Sequence, residues 1–409
     1  MIMKKGKIKV LIVDDSAFMR KILSDIISKD SELDLVGAAR DGEDALRKKD
    51  LLKPDVITLD VEMPRLDGLA TLRRIMEKGL MPVIMVSSLT SRGSETTLEA
   101  LSAGAVDFIA KPTALYKGEG LDELRLTLPQ KIKAAAGARL FSARSEHRPE
   151  HRPEPRKLPG GKPSGPGASS EPVASSGPTA PGASSSSVTE TPGISRLSPR
   201  PVERSTSTPT PPSMTRFTGA AGAGAGFVVL IGSSTGGPRA LEDIFRYFPE
   251  DFPAAVLVTQ HMPPSFTASL AKRLDKISGI KVQEAKGRER ISPGHAYIAP
   301  GGFHLLVQRG ETSLSQAPPV HHVRPAADLM MESAARYYKS KAIGVILTGM
   351  GRDGTDGMAE IKKNGGRTIV QDPATAVISS MPQSVIDKGL ADVTVPLGGI
   401  VASVIRFFS

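Results

Sequence analysis

The chain has 409 residues, with 53 Lys plus Arg against 43 Asp plus Glu. That length spans two or three ordinary domains rather than one. The absence of cysteine excludes disulfides, thiolate catalysis, iron–sulfur clusters and cysteine-ligated zinc. Lys7 and Lys9 interrupt the apolar residues of the start, and acids follow at once. The sequence therefore predicts no signal peptide, no membrane insertion and a cytoplasmic location. The net charge of +10 raises the question of nucleic acid. Its distribution argues against it: residues 1–113 hold 18 basic and 18 acidic side chains, and the excess is largest in residues 114–226, with 15 against 9. No aromatics interleave with the basic residues to form a stacking platform.

In chain order, the first strand signal is Lys9–Val13, ending in Asp14 and Asp15. Asp55–Leu59 follows, ending in Asp60; then Pro82–Val86, ending in Ser87; then Val106–Ala110, ending in Lys111 and Pro112. Helical patterns lie between, such as Ala17–Ser28 and Gly68–Lys78. Continuous apolar strands alternating with helices predict a parallel sheet covered on both faces. Sites in such sheets form at the carboxyl ends of strands, where Asp14, Asp15, Asp60, Ser87 and Lys111 all fall. Three converging carboxylates need a neutralising cation, and Mg²⁺ suits oxygen ligands. A carboxylate there can accept a phosphoryl group, with a lysine and a hydroxyl on the phosphoryl oxygens.

This segment resembles a two-component receiver domain, through Asp14-Asp15, the stretch Asp60–Gly68, Ser87 and Lys111-Pro112. The resemblance implies that Asp60 is the phosphoacceptor and that a histidine kinase is the donor. It implies that Asp14, Asp15, Asp60 and the backbone carbonyl of Glu62 hold Mg²⁺. It further implies that Ser87 and Lys111 sense the phosphoryl group, that Phe108 fills a switch position, and that Lys111–Pro112 is a cis bond. The receiver reading spans residues 1–139.

Residues 140–226 change character: 42 of these 87 are Pro, Gly or Ser. Such a stretch cannot bury enough apolar surface to offset chain entropy, so it reads as a disordered linker.

Globular composition returns for residues 227–409. Phe227–Ile231 is a buried strand running into Gly232–Gly237 and Pro238. A phosphate cradle is one reading, but the glycine spacing fits neither dinucleotide nor P-loop motifs. The other is a nucleophile elbow, in which Gly232-x-Ser234-x-Gly236 forms a strained turn that lifts the serine oxygen. Ala255–Thr259 is a second strand, ending in Gln260 and His261, a candidate base. Ala342–Thr348 is a third, ending in a Gly-rich loop with Asp353, a candidate orienting acid. Asp356 is its rival, read as a first-turn helix acid. The order Ser…His…Asp differs from that of ordinary α/β-hydrolases, which points to a different fold with converging chemistry.

With these motifs in hand, together with Gln371-Asp-Pro373, Met381-Pro382 and Arg324-Pro325 with Asp328, the whole chain resembles the chemotaxis response-regulator protein-glutamate methylesterase/glutaminase family. The resemblance implies two doubly wound α/β domains, flavodoxin-like and Rossmann-like. It implies Ser234 as nucleophile, His261 as base, Asp353 as orienting acid, and Thr235 with the Met350 amide around the oxyanion. The substrates would be methyl-esterified glutamates of chemoreceptors, hydrolysed with release of methanol, with deamidation of receptor glutamines besides. It implies no cofactor in the catalytic domain. Arg352 stands where many members have Asn, and the linker is longer than usual. A non-enzymatic response regulator and a nucleotide-dependent oxidoreductase are the competing classes.

Overall fold

The computed structural model describes residues 6–112, 120–140 and 226–408; the Pro/Gly/Ser-rich stretch therefore lies almost wholly outside the described residues. The N-terminal domain has strands β1 (Ile8–Val13), β2 (Leu33–Ala39), β3 (Val56–Asp60), β4 (Val83–Ser87) and β5 (Asp107–Ala110). Helices α1 (Ala17–Lys29), α2 (Gly42–Leu52), α3 (Gly68–Glu77), α4 (Ser91–Ser102) and α5 (Leu121–Ala136) alternate with them. The sheet is parallel, in the order β2-β1-β3-β4-β5. Its strands are apolar on both faces because both are covered. Leu11 and Val13 pack into one core cluster with Ile57, Leu59 and Leu72, while Val10 and Ile12 pack into another with Leu23, Ile27 and Leu128. Ser16, Asp41, Asp67 and Thr90 each accept a first-turn amide of the following helix, which fixes where α1 to α4 begin.

The C-terminal domain continues with β6 (Val228–Ser233), α6 (Gly237–Phe245), β7 (Ala255–Gln260) and α7 (Phe266–Asp275). Then come β8 (Lys281–Glu284), β9 (His295–Ile298), β10 (His304–Gln308), β11 (Glu311–Ser315) and α8 (Ala327–Tyr338). The chain ends with β12 (Ala342–Ile346), α9 (Thr355–Lys363), β13 (Arg367–Gln371), α10 (Ser380–Asp387), β14 (Val393–Val395) and α11 (Ile400–Arg406). Seven of these strands form a parallel sheet in the order β14-β13-β12-β6-β7-β9-β8; β10 and β11 form a separate antiparallel hairpin. The three strands expected to carry Ser234, His261 and Asp353 are adjacent at the sheet's centre. β6 pairs with β12 on one side and β7 on the other.

One sequence expectation differs from the structure. Among the described residues the cis bond is at Arg324–Pro325, and Lys111–Pro112 is not cis; cis is a minority state even before proline, so the dipeptide alone does not dictate it. At the serine turn the left-handed conformation falls on the flanking Gly236, with φ 77°, where glycine adopts it without steric cost, and not on Ser234.

Gly354 plays the same part before α9. Its φ is 88°, and a Cβ there would lie 2.3 Å from Ile346 Cδ1. Gly354→Ala should therefore lose on the order of 1–3 kcal/mol of stability, from backbone strain and overpacking together. Urea unfolding of the full chain measures this as a lowered midpoint; a midpoint equal to the native one would contradict the packing described.

Candidate functional site

In the N-terminal domain, three acidic side chains converge where β1 and β3 end. Asp14, Asp15 and Asp60 each present a carboxylate oxygen, all within 4.8 Å of one another. Asp14 and Asp60 are buried, at 0% and 1% exposure, whereas Asp15 faces solvent. Lys111 reaches in from the end of β5, its Nζ 2.7 Å from Asp60 Oδ2 and 3.4 Å from Asp14 Oδ2. Burial, and then the Asp14 charge, push the Asp60 carboxyl up to about 6. Burial also raises Asp14, against the pull of Lys111. Burial works against the Lys111 charge, but the hydrogen bonds and charges of Asp60 and Asp14 together outweigh it and hold Lys111 above its ordinary value.

One ammonium thus offsets two buried carboxylates. Asp14 Oδ2 is buried and accepts no hydrogen bond. That oxygen, in a set of three carboxylates, fits a hard divalent cation. Glu62 follows β3 and donates its amide to Asp60 Oδ1 at 3.3 Å, which puts its backbone at the rim of this cluster. Ser87 ends β4, buried, with its hydroxyl shared between the Ser88 and Gly93 carbonyls, each at 3.2 Å.

In the C-terminal domain, the expected histidine and aspartate meet at the carboxyl ends of the central strands, and the expected serine follows the strand next to the histidine's. Ser234 follows β6, half-buried, and donates its amide to Thr348 O at 3.1 Å. His261 follows the neighbouring β7 and donates its amide to Ser233 O at 3.1 Å. The histidine ring meets Asp353 through Nε2, 2.7 Å from Asp353 Oδ2. That leaves Nδ1 as the nitrogen available for a base, the reverse of the common triad, in which the acid holds Nδ1.

Asp353 is only 2% exposed. It also accepts the amides of Ala327 at 2.6 Å and Asp328 at 3.0 Å, the first two residues of α8. Burial opposes its charge, but the His261 bond and the two amides outweigh burial and hold Asp353 below the usual carboxylate range. Asp356, the rival acid, is exposed and bonds Lys388 at 2.9 Å instead. Arg352 is exposed and lies near enough to help keep Asp356 ionised. Met350 follows Gly349, where an added Cβ would fall 2.8 Å from Ser234 Cβ, so the loop carrying Met350 runs closely past the serine.

Two functional residues had no role in the sequence reading. Gln260 is buried at the end of β7: its Oε1 accepts from Ser233 Oγ at 2.7 Å, and its Nε2 donates to Ser234 O at 2.9 Å and His261 O at 3.2 Å. It ties the serine turn to the histidine turn. A polar residue closing an apolar strand was the available signal. Asp107, in β5, accepts from Thr235 Oγ1 at 2.6 Å in a buried bond between the domains. Lys131 balances its charge, with Nζ 3.0 Å from Asp107 Oδ2 and 2.8 Å from Phe108 O.

The expected switch residue Phe108 is buried and stacks on Phe266 of α7, with ring centroids 4.4 Å apart. Further contacts between the domains run along α4. Ser94 meets Ser269 at 2.9 Å, and Ser102 meets Glu242 at 2.9 Å, with Arg273 bonded to both. Arg139 donates its amide to Val377 O at 3.0 Å.

The fold and these two strand-end sites define a receiver-type domain joined to a second parallel α/β domain with a Ser, His and Asp at its centre. Two family models match accordingly: response regulator receiver domain over residues 10–118, and CheB methylesterase over residues 229–404. A relative from Symbiobacterium thermophilum, named protein-glutamate methylesterase/protein-glutamine glutaminase, is 42% identical over 402 residues, covering 98% of this chain and 96% of its own. Relatives of the same name from Pyrococcus horikoshii and Pyrococcus abyssi are 41% and 42% identical over 405 residues, each covering 98% of this chain and 93% of its own. The chain belongs to the protein-glutamate methylesterase/protein-glutamine glutaminase family.

The raised Asp60 fixes the sign of a pH effect. In the unfolded chain this carboxyl ionises near 3.8, in the folded one near 6. Between these values the folded state binds the extra proton, so this contribution to stability is present at low pH and lost as pH rises through about 6. In metal-free buffer at pH 7.5, Asp60→Asn in the full chain should raise the lower unfolding temperature by a few degrees, and the difference should shrink at pH 4.5. Added Mg²⁺ should stabilise the native chain at pH 7.5 and the variant far less. Calorimetry checks this; equal Mg²⁺ responses would remove the three carboxylates as its site.

Proposed function

We propose that this protein is a phosphorylation-gated hydrolase of glutamate γ-methyl esters on chemoreceptors, working in the cytoplasm and also deamidating receptor glutamines. The observation that carries the reading is the 2.7 Å bond from His261 Nε2 to Asp353, one strand over from Ser234, in a chain of this family.

In the proposed reaction, His261 Nδ1 takes the proton of Ser234 as its Oγ attacks the ester carbonyl. Thr235 and the Met350 amide border the oxygen that becomes negative. His261 then returns the proton to the departing methoxide, which leaves as methanol. Water, deprotonated by the same nitrogen, attacks the acyl-serine and frees the glutamate and Ser234. Asp353 stays ionised throughout, favouring the imidazolium that forms between steps. With a glutamine amide, the same steps release ammonia. Ser234→Ala should abolish methanol release from methyl-labelled receptor, by roughly 10⁴-fold or more. Release at the native rate would sink the serine mechanism.

The N-terminal domain would supply the gate. Mg²⁺ bound by Asp14, Asp15, Asp60 and the Glu62 carbonyl would offset the carboxylate charge next to a phosphoryl group. Asp60 accepts that group from a chemotaxis histidine kinase, and Ser87 and Lys111 hold its oxygens. The Asp107–Thr235 bond and the Phe108–Phe266 stack support covering of the site by the unphosphorylated domain. They join the first two residues of β5, the strand that leads to Lys111, to Thr235 beside Ser234 and to Phe266 of α7. Moving Lys111 and Phe108 toward a phosphoryl group would loosen both contacts. Asp107→Asn should raise activity without a phosphodonor several-fold, and Asp60→Asn should remove phosphodonor stimulation. Basal and stimulated methanol release measure both. An Asp107 variant with native basal activity would show that this contact does not hold the site shut.

A further inference from the structure

Behind Asp353 lies a second buried carboxylate. Asp328, in the first turn of α8, is 3% exposed. Its Oδ1 accepts the amide of Gly357, in the first turn of α9, at 2.8 Å. Asp353, just before α9, accepts the amides of Ala327 and Asp328 at the start of α8. The two helices therefore exchange caps. Neither has a side-chain cap of its own: Ala326 and Gly354 stand at those positions. Each carboxylate lies where a helix N-terminus favours negative charge. Each also has one imidazole: His261 Nε2 on Asp353 at 2.7 Å, and His321 Nε2 on Asp328 at 3.1 Å.

We infer that Asp328 and His321 form a second histidine–aspartate pair that positions Asp353 and sets the charge it presents to His261. The inference rests on the hydrolase reading of Ser234, His261 and Asp353. Asp328 positions Asp353 in two ways. Its carboxylate pins the first turn of α9, and with it the loop that delivers Asp353. Its own amide holds Asp353 Oδ1.

Its negative charge also adds to the field at the site. The charged groups facing Asp328 are Asp353 and Asp356 as like charges and His321 as the offsetting one. Asp356 in turn is bonded to Lys388 and lies near Arg352, so its own charge is largely answered. Burial and the Asp353 charge push Asp328 up to about 6, while Asp353 is held low. A proton entering this buried group thus goes to Asp328, and Asp353 keeps the negative charge that orients His261.

The pH profile of kcat/KM tests this. An anion near a histidine favours its protonated form, so losing the Asp328 charge leaves His261 a neutral base to lower pH. Asp328→Asn keeps an oxygen for the Gly357 amide and removes the charge. It should move the acid limb of the profile down by about half a unit to one unit, lower kcat, and leave KM within about twofold. Because the pair acts as a unit, adding His321→Gln to Asp328→Asn should cost little more than Asp328→Asn alone. An unmoved acid limb with native kcat, or strictly additive losses, would overturn the proposal.

Should Asp328→Asn fail to fold, His321→Gln at its half-buried position decides by the same profile: a displaced acid limb with native KM supports the pair, and a native profile overturns it. ¹⁵N NMR of histidine-labelled full-length protein gives a readout independent of turnover. The pH at which the His261 ring signals change should fall in Asp328→Asn, and no change would refute the coupling. If the native chain released no methanol, the hydrolase reading would fail while this NMR result still judged the pair.

Discussion

The C-terminal domain keeps one carboxylate, Asp353, ionised where water scarcely reaches. An isolated buried carboxylate would take up a proton instead. Asp353 is spared that by two amides at the start of α8 and one imidazole from the end of β7. The same contacts that stabilise its charge fix its direction. Electrostatics and positioning are thus one constraint, which ties β7, α8 and the β12–α9 loop into a single unit. The parallel sheet makes this possible by placing β7, β6 and β12 side by side with their carboxyl ends together.

The N-terminal domain treats the same problem in the opposite way. Asp14 and Asp60 are buried together with only Lys111 between them, and both are raised rather than lowered. Each of them accepts one backbone amide, Asp14 from Ser16 at 2.8 Å and Asp60 from Glu62 at 3.3 Å, where Asp353 has two and an imidazole. A set of carboxylates left short of positive charge suits a site meant to receive a cation and a phosphoryl group. The two domains share strand-end chemistry, but the carboxylate of one is held ionised by its neighbours and those of the other are short of positive charge. The link between them is short: Lys111 is four residues from Asp107, which holds Thr235.

Much of this was legible in the sequence, and the reason is specific. Uninterrupted apolar runs such as Val10–Val13 and Val228–Ile231 exist because both sheet faces are covered, so the strands and the residues at their ends stand out together. Asp14, Asp60, Lys111, Ser234, His261 and Asp353 all follow from that pattern. The features that did not show depend on contacts between elements distant in the chain. Gln260 bridging two turns, Asp107 reaching Thr235, and Asp328 trading caps with Asp353 leave no periodic trace. The short β10–β11 hairpin alternates too briefly to register. Which imidazole nitrogen meets Asp353 is likewise fixed only once β7 and α9 are in place.

The proposed reaction turns on that nitrogen. Histidine-selective ¹⁵N NMR of the full-length protein at neutral pH reports which ring nitrogen of His261 carries the proton, with His261→Gln supplying the assignment. The structure predicts a protonated Nε2, its proton hydrogen-bonded to Asp353, and a bare Nδ1 free to serve as base. The Nε2 proton signal should vanish in Asp353→Asn and persist in Ser234→Ala. A proton on Nδ1 instead, or an Nε2 proton indifferent to Asp353→Asn, would contradict the arrangement on which the proposed reaction rests.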